Sequence, residues 1–141
     1  MREDFLKALN HLPHGAEFRF VDRLIKLEPG KSGIGEYTVR GDEYFLRGHF
    51  PGAPLMPGVL LLEAAAQLAG TVAQSGPKTV LAGLKLTAVR GAKILGTARP
   101  GEVIRLEARV TGRLGKLVQA RATASVGDKV VLEAELTLSG E

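Results

Sequence analysis

The chain has 141 residues, 45% of them hydrophobic, and 19 basic against 15 acidic residues give a formal charge of +4. That is enough for one domain spanning residues 1–141 with a core of its own, and both ends read as folded rather than linker-like. The absence of cysteine excludes disulfides, thiolate metal sites and a cysteine nucleophile, and five Phe, two Tyr and no Trp without an RNA-binding signature or recognition-helix pattern argue against a nucleic-acid partner.

Glu3 and Asp4 stand where a signal peptide would be apolar, and Glu63 and Gln67 interrupt the one long apolar run. No membrane span is therefore expected, and a soluble, cytoplasmic protein is. Asp4 to Asn10 reads as a short amphipathic helix, with Phe5, Leu6 and Leu9 on one side, that lids the core and ends at the Leu12-Pro13 turn. His11 and His14 lie on either side of Pro13 with no third histidine nearby, so they read as turn histidines and no metal is expected. Phe18, Phe20, Leu24 and Leu27 open a strand region. The Pro29-Gly30-Lys31-Ser32-Gly33 cluster turns it into Gly35 to Arg40, a hairpin.

The chain from Arg47 to Gly70 is the centre of the molecule. A loop punctuated by Pro and Gly carries His49, and Pro57 then starts a helix that nothing between Val59 and Ala69 breaks. A helix apolar almost all round belongs in the middle of a fold, so Glu63 and Gln67, four apart on one face, need a reason to be there.

Ser75-Gly76-Pro77 stops the helix, Thr79 to Val89 resumes a β-rich pattern, and Gly91 to Pro100 reads as a connection ending in the Pro100-Gly101 turn. From Val103 the alternation is plain: Ile104, Leu106, Ala108 and Val110 oppose Val103, Arg105, Glu107 and Arg109, so one face of an antiparallel sheet is wet. Gly112 to Gly115 and Gly127-Asp128 read as turns separating Leu117 to Val126 and Val130 to Leu138. The fold class is α+β, with one antiparallel sheet wrapped around the buried helix. One sheet covers only one side of such a helix, so a partner subunit is expected to supply the second cover. With no Gly-rich phosphate loop and no Cys/His cluster, no cofactor is expected.

Taken singly, Glu63 would be a salt-bridge carboxylate and His49 a loop histidine. Together they suit acid–base work: a carboxyl in apolar surroundings can stay protonated as an acid, and a neutral imidazole can act as a base. The free N–H groups at the helix start around Gly58 can stabilise an oxyanion, and the lack of a side chain lets a ligand approach the backbone. Base, acid and oxyanion site suit proton abstraction next to a carbonyl.

Gly48-His49-Phe50-Pro51-Gly52, Met56-Pro57-Gly58-Val59-Leu60 and Glu63-Ala64-Ala65-Ala66-Gln67 closely resemble the (3R)-3-hydroxyacyl-[acyl-carrier-protein] dehydratases of bacterial type II fatty-acid synthesis. Leu12-Pro13-His14 followed by Val21-Asp22-Arg23, and Pro100-Gly101-Glu102 followed by Ile104-Arg105-Leu106-Glu107, extend the resemblance over nearly the whole chain. It implies the hot-dog fold, with two subunits paired edge to edge in a homodimer that assembles to a hexamer. It also implies that the catalytic histidine, His49, and the catalytic carboxylate, Glu63, face one another from different chains. Glu rather than Asp at position 63 resembles the plain dehydratase branch, not the branch that also isomerises the double bond. Gly15-Ala16-Glu17-Phe18 and Leu84-Lys85-Leu86-Thr87-Ala88-Val89 depart from the family pattern in segments that shape its substrate tunnel.

The expected activity is dehydration of a 3-hydroxyacyl thioester on acyl carrier protein to the trans-2-enoyl thioester. His49 takes the C2 proton, Glu63 protonates the departing hydroxyl, the Gly58 N–H holds the thioester oxygen and Gln67 orients Glu63. A Cβ at Gly58 is expected to intrude on the thioester while leaving the helix intact. Acyl carrier proteins are strongly acidic, and Arg47, Arg90, Lys93 and Arg99 are the candidate contacts. The alternatives are an acyl-thioester hydrolase, in which the carboxylate activates water, and a non-catalytic acyl-thioester-binding subunit.

Overall fold

The structure, a computed structural model, describes residues 2–76 and 81–141. Helix α1 (Glu3–Leu9) lids the core as expected, burying Phe5, Ala8 and Leu9 while Leu6 stays in solvent. Strands β1 (Arg23–Glu28) and β2 (Ser32–Thr38) form the expected hairpin, turned at Gly30 with φ 74°. Helix α2 (Gly58–Ala73) crosses the sheet, and β3 (Lys85–Ile94), β4 (Val103–Leu114), β5 (Leu117–Val126) and β6 (Lys129–Ser139) complete it. The six strands pair antiparallel in the order β1-β2-β4-β5-β6-β3, so β1 and β3 are the edges and α2 bridges strands that end far apart.

Inward positions of β4 to β6 carry Ile104, Leu106, Val118, Leu132, Leu136 and Leu138, all nearly inaccessible, and the outward ones carry Arg105, Glu107, Arg109 and Arg121. Each large aliphatic side chain so buried contributes about 1.5–3 kcal/mol. β5 turns Ala120, Ala122 and Ala124 inward, and α2 buries Ala64, Ala65 and Ala69, so small side chains on both surfaces let the helix lie close. On β2 the close approach is met by glycine. A Cβ at Gly33 would stand 2.8 Å from Cγ2 of Val72, and one at Gly35 would stand 3.3 Å from Cδ1 of Leu68.

Four expectations need correction. Phe18 and Phe20 do not open β1: Ala16–Phe18 is a single 3-10 turn, and Phe20 sits in an extended segment before the strand. Gly91 does not begin a connection, because β3 continues through it, at φ 58°, to Ile94. Gly112 lies inside β4 at a register shift, and the turn is at Gly115. The second cover of α2 is supplied in part by this chain's own N-terminal segment, whose backbone at Phe18 and Phe20 is bonded to Gln67. Pro77, in the helix-stop signal, and Thr79, where the β-rich stretch was expected to begin, lie outside the described residues.

Candidate active site

The loop that carries His49 is closed on itself and tied to the sheet side of the molecule. Leu55 N–H donates to the His49 carbonyl at 2.9 Å, the His49 ring bonds the Leu55 carbonyl through Nδ1 at 3.0 Å, and Met56 N–H reaches Ala98 O at 2.8 Å. A carbonyl oxygen only accepts, so Nδ1 carries the hydrogen, and Nε2 of the neutral ring is left as a free lone pair. Phe50 stacks on the ring at 4.1 Å between centroids, a further constraint on its orientation.

Upstream, the loop is anchored by a carboxylate that no motif or spacing singles out. Glu43 accepts from Tyr37 Oη at 2.6 Å, from Arg40 N–H at 3.0 Å and from Gly41 N–H at 2.8 Å, just before the 3-10 turn Tyr44–Leu46 that leads to Arg47. Burial works to raise its pKa, but the donated hydrogen bonds outweigh burial and hold it below the ordinary carboxylate range. The Tyr37 phenol is pushed up by burial and by its bond to, and the charge of, Glu43.

On α2, Gln67 is only 2% exposed and every polar atom of its amide is engaged. Its oxygen accepts from Phe20 N–H at 2.7 Å. Its nitrogen donates to Phe18 O at 2.8 Å and to Oε2 of Glu63 at 3.0 Å. The i,i+4 spacing therefore does what the sequence suggested: one face of the helix holds a carboxyl and the amide that fixes it. His14, read as a turn histidine, stands with Nε2 3.3 Å from the same Oε2. Its neighbours Leu12 and Pro13 and the ring of Phe18 border the same cavity.

That cavity, about 640 Å³, runs along α2 past Glu63, Ala66, Gln67, Gly70, Thr71 and Gln74, with Leu84, Leu86 and Leu138 among the residues opposite. Both segments that depart from the dehydratase pattern border it, through Phe18 and through Leu84 to Leu86. His49 does not, and among the described residues no hydrogen bond or ion pair joins it to Glu63.

Gly58 opens α2, and among the described residues neither its N–H nor that of Val59 has a partner, as befits the first turn of a helix. The chain itself also limits the space at this position. A Cβ there would meet the chain's own Ile94, at 2.9 Å from both Cδ1 and Cγ2, at the end of β3. Among the described residues no group of three His, Asp or Glu side chains is placed to hold a metal ion, and no helix is long and apolar enough to cross a membrane.

One antiparallel sheet around a central helix, with an imidazole on the loop feeding the helix and a carboxyl one turn inside it, defines a hot-dog protein carrying acid–base groups. The chain belongs to the FabA-like family, whose domain profile matches residues 12–135. It is 39% identical over 125 residues to the 3-hydroxyacyl-[acyl-carrier-protein] dehydratase FabZ of Chloroflexus aggregans, covering 89% of this chain and 87% of that protein. The enzyme of the same name from Caldicellulosiruptor saccharolyticus is 40% identical over 138 residues, covering 94% and 95%. Among solved structures, the dehydratase heterocomplex ApeI:P from Xenorhabdus doucetiae shares the fold, with a TM-score of 0.78 over 99% of this chain and 93% of that one at 17% identity.

Proposed function

We infer that this protein dehydrates (3R)-3-hydroxyacyl-[acyl-carrier-protein] to the trans-2-enoyl thioester and water in fatty-acid biosynthesis, in the cytoplasm. The observation that carries the division of labour is the Nδ1 bond to Leu55, which leaves His49 Nε2 free as a base. Nε2 takes the C2 proton, the electron pair of that C–H bond becomes the C2=C3 double bond, and the C3–O bond breaks as Glu63 gives its proton to the departing hydroxyl. The unpartnered Gly58 N–H stabilises charge on the thioester oxygen, a task that calls for the backbone and not a side chain. Gln67 holds Glu63 in place.

That His49 stays outside the cavity Glu63 borders supports a site completed by two subunits. β3 is an edge strand bearing exposed Val89 and Ile94, and an apolar edge of this kind calls for pairing. The functional unit is then a dimer, further assembled to a hexamer, in which His49 of one chain faces Glu63 of the other. The acyl tail lies along the Ala66–Gly70 face of α2. At 1.5 Å per residue, Glu63 to Gln74 spans about 16 Å, the length of an extended medium-chain acyl group.

The acidic carrier protein docks at the mouth of this site. Arg47 precedes His49 on its loop, Arg99 follows Ala98, which bonds Met56, and Lys93 precedes Ile94, which lies beside Gly58. These cations, all exposed, thus lie on segments that meet at the start of α2. The test is to incubate the protein with 3-hydroxybutyryl and 3-hydroxydecanoyl carrier-protein thioesters and follow the products by mass. Loss of water is the expected result. Release of the free acid would make the protein a hydrolase, and unchanged thioesters would make it a binder.

A further inference from the structure

The mechanism leaves His14 over, although it touches the acid. Its Nε2 is 3.3 Å from Oε2 of Glu63, and its Nδ1 is buried without a hydrogen-bond partner among the described residues. The orphan atom decides where the hydrogen is. A hydrogen on Nδ1 would be a buried donor with no acceptor, and it would turn the Nε2 lone pair toward a carboxyl oxygen. A hydrogen on Nε2 leaves only a lone pair orphaned and places the N–H beside Oε2, 3.3 Å from the ring nitrogen. Of the two neutral tautomers, the Nε2–H one is therefore the one that fits.

Oε2 then accepts the Gln67 N–H and has the His14 ring nitrogen 3.3 Å away. Oε1 has no partner among the described residues. An oxygen that already accepts one N–H and has a second ring nitrogen against it is the poorer seat for a proton, because a donor stabilises the bare lone pairs. The transferable proton is thereby directed to Oε1, the oxygen without a partner among the described residues, on a side chain that borders the cavity together with His14.

We propose that His14 is a positioning residue for Glu63: packed against Oε2 beside the Gln67 amide, it holds the carboxyl in one orientation with its proton on Oε1 toward the substrate hydroxyl. This rests on Glu63 being the acid, and it adds a residue 49 positions upstream that never touches the reacting atoms. The two claims separate in one set of variants. In His14→Leu the donor is lost and the volume kept; in His14→Gln an amide nitrogen returns the same number of bonds from Cα as Nε2. Each is made alone and with Glu63→Gln, and kcat, KM and melting temperature are measured on a 3-hydroxydecanoyl carrier-protein thioester.

His14→Leu lowers kcat about tenfold with KM within threefold, the scale expected when a reacting group is misplaced rather than removed. His14→Gln recovers most of that loss. In the Glu63→Gln background, His14→Leu lowers the residual rate no further. Should His14→Leu fail to fold, His14→Asn replaces it, since its amide falls one bond short of Oε2 and predicts the same loss. A kcat within threefold of wild type for the Leu variant overturns the proposal. So does an equal loss in both backgrounds, or a folded Gln variant as slow as Leu. Full activity in Glu63→Gln alone would instead remove Glu63 as the acid.

Discussion

Gln67→Leu separates the two tasks of the buried amide. The substitution keeps the side chain's size and removes three hydrogen bonds. Phe20, whose N–H loses its acceptor, is 1% exposed, so water does not reach that donor easily, whereas Phe18 borders the cavity, where water can replace the lost partner of its carbonyl. One orphaned buried donor costs about 1–3 kcal/mol. With the carbonyl largely rescued by water and some gain from the apolar side chain, a net loss of about 2 kcal/mol is expected. For a chain of this size that lowers Tm by roughly 6 °C. Freed from its amide, Glu63 samples other rotamers, and kcat falls about tenfold with little change in KM. Urea denaturation at constant m-value and steady-state kinetics measure the two effects. A stability loss under 0.5 kcal/mol, or a full kcat, would show that the amide does not hold the N-terminal segment or the acid as described.

Gly33→Val drives a branched side chain into Val72, whose Cγ2 lies 2.8 Å from where the Cβ would stand, and should cost about 3 kcal/mol of stability by overpacking, read from a thermal melt. Glu43→Ala leaves the Tyr37 hydroxyl and two backbone N–H groups without their acceptor and should cost about 3 kcal/mol at neutral pH. The native state holds the Glu43 pKa below its ordinary value of 4.5, so this stabilisation is present above that pH and is lost as pH falls through the native value. The gap between wild type and variant should therefore narrow in melts below that pH. Gly58→Ala must displace the exposed Ile94 side chain, so Tm should fall by about 2–4 °C rather than rise, with kcat/KM reduced as the helix start shifts.

The sequence is most legible where one face is wet and one is dry. β5 runs over Leu117–Val126 as the alternation predicts, because each inward residue meets the core and each outward one meets water. β3 carries no such signal: it is exposed along nearly its whole length, so nothing in its pattern distinguishes Gly91–Ile94 from a loop. Motif and spacing pointed to Glu63 with Gln67 because the two share a helix face. His14 and Glu43 escaped for the opposite reason, since their partners are fixed by tertiary packing. The Gln67 contacts to Phe18 and Phe20 also span 49 and 47 positions, and they pull out of β1 residues whose composition reads as strand. At Gly58 the sequence marks a bare backbone, but the neighbour that would meet a Cβ, Ile94, comes from the far end of β3.

We propose that His49 and Glu63 act as base and acid across two chains. Subunit mixing tests it most directly. His49→Ala and Glu63→Gln proteins, each with kcat reduced by roughly 10²-fold or more, are mixed under conditions that exchange subunits, and hetero-oligomers are verified by mass before assay. Each mixed dimer would contain one site with both wild-type groups, so dehydration of a 3-hydroxyacyl carrier-protein thioester should return to as much as half the wild-type rate per dimer. Verified mixed dimers no more active than either parent would show that the two residues do not meet across chains.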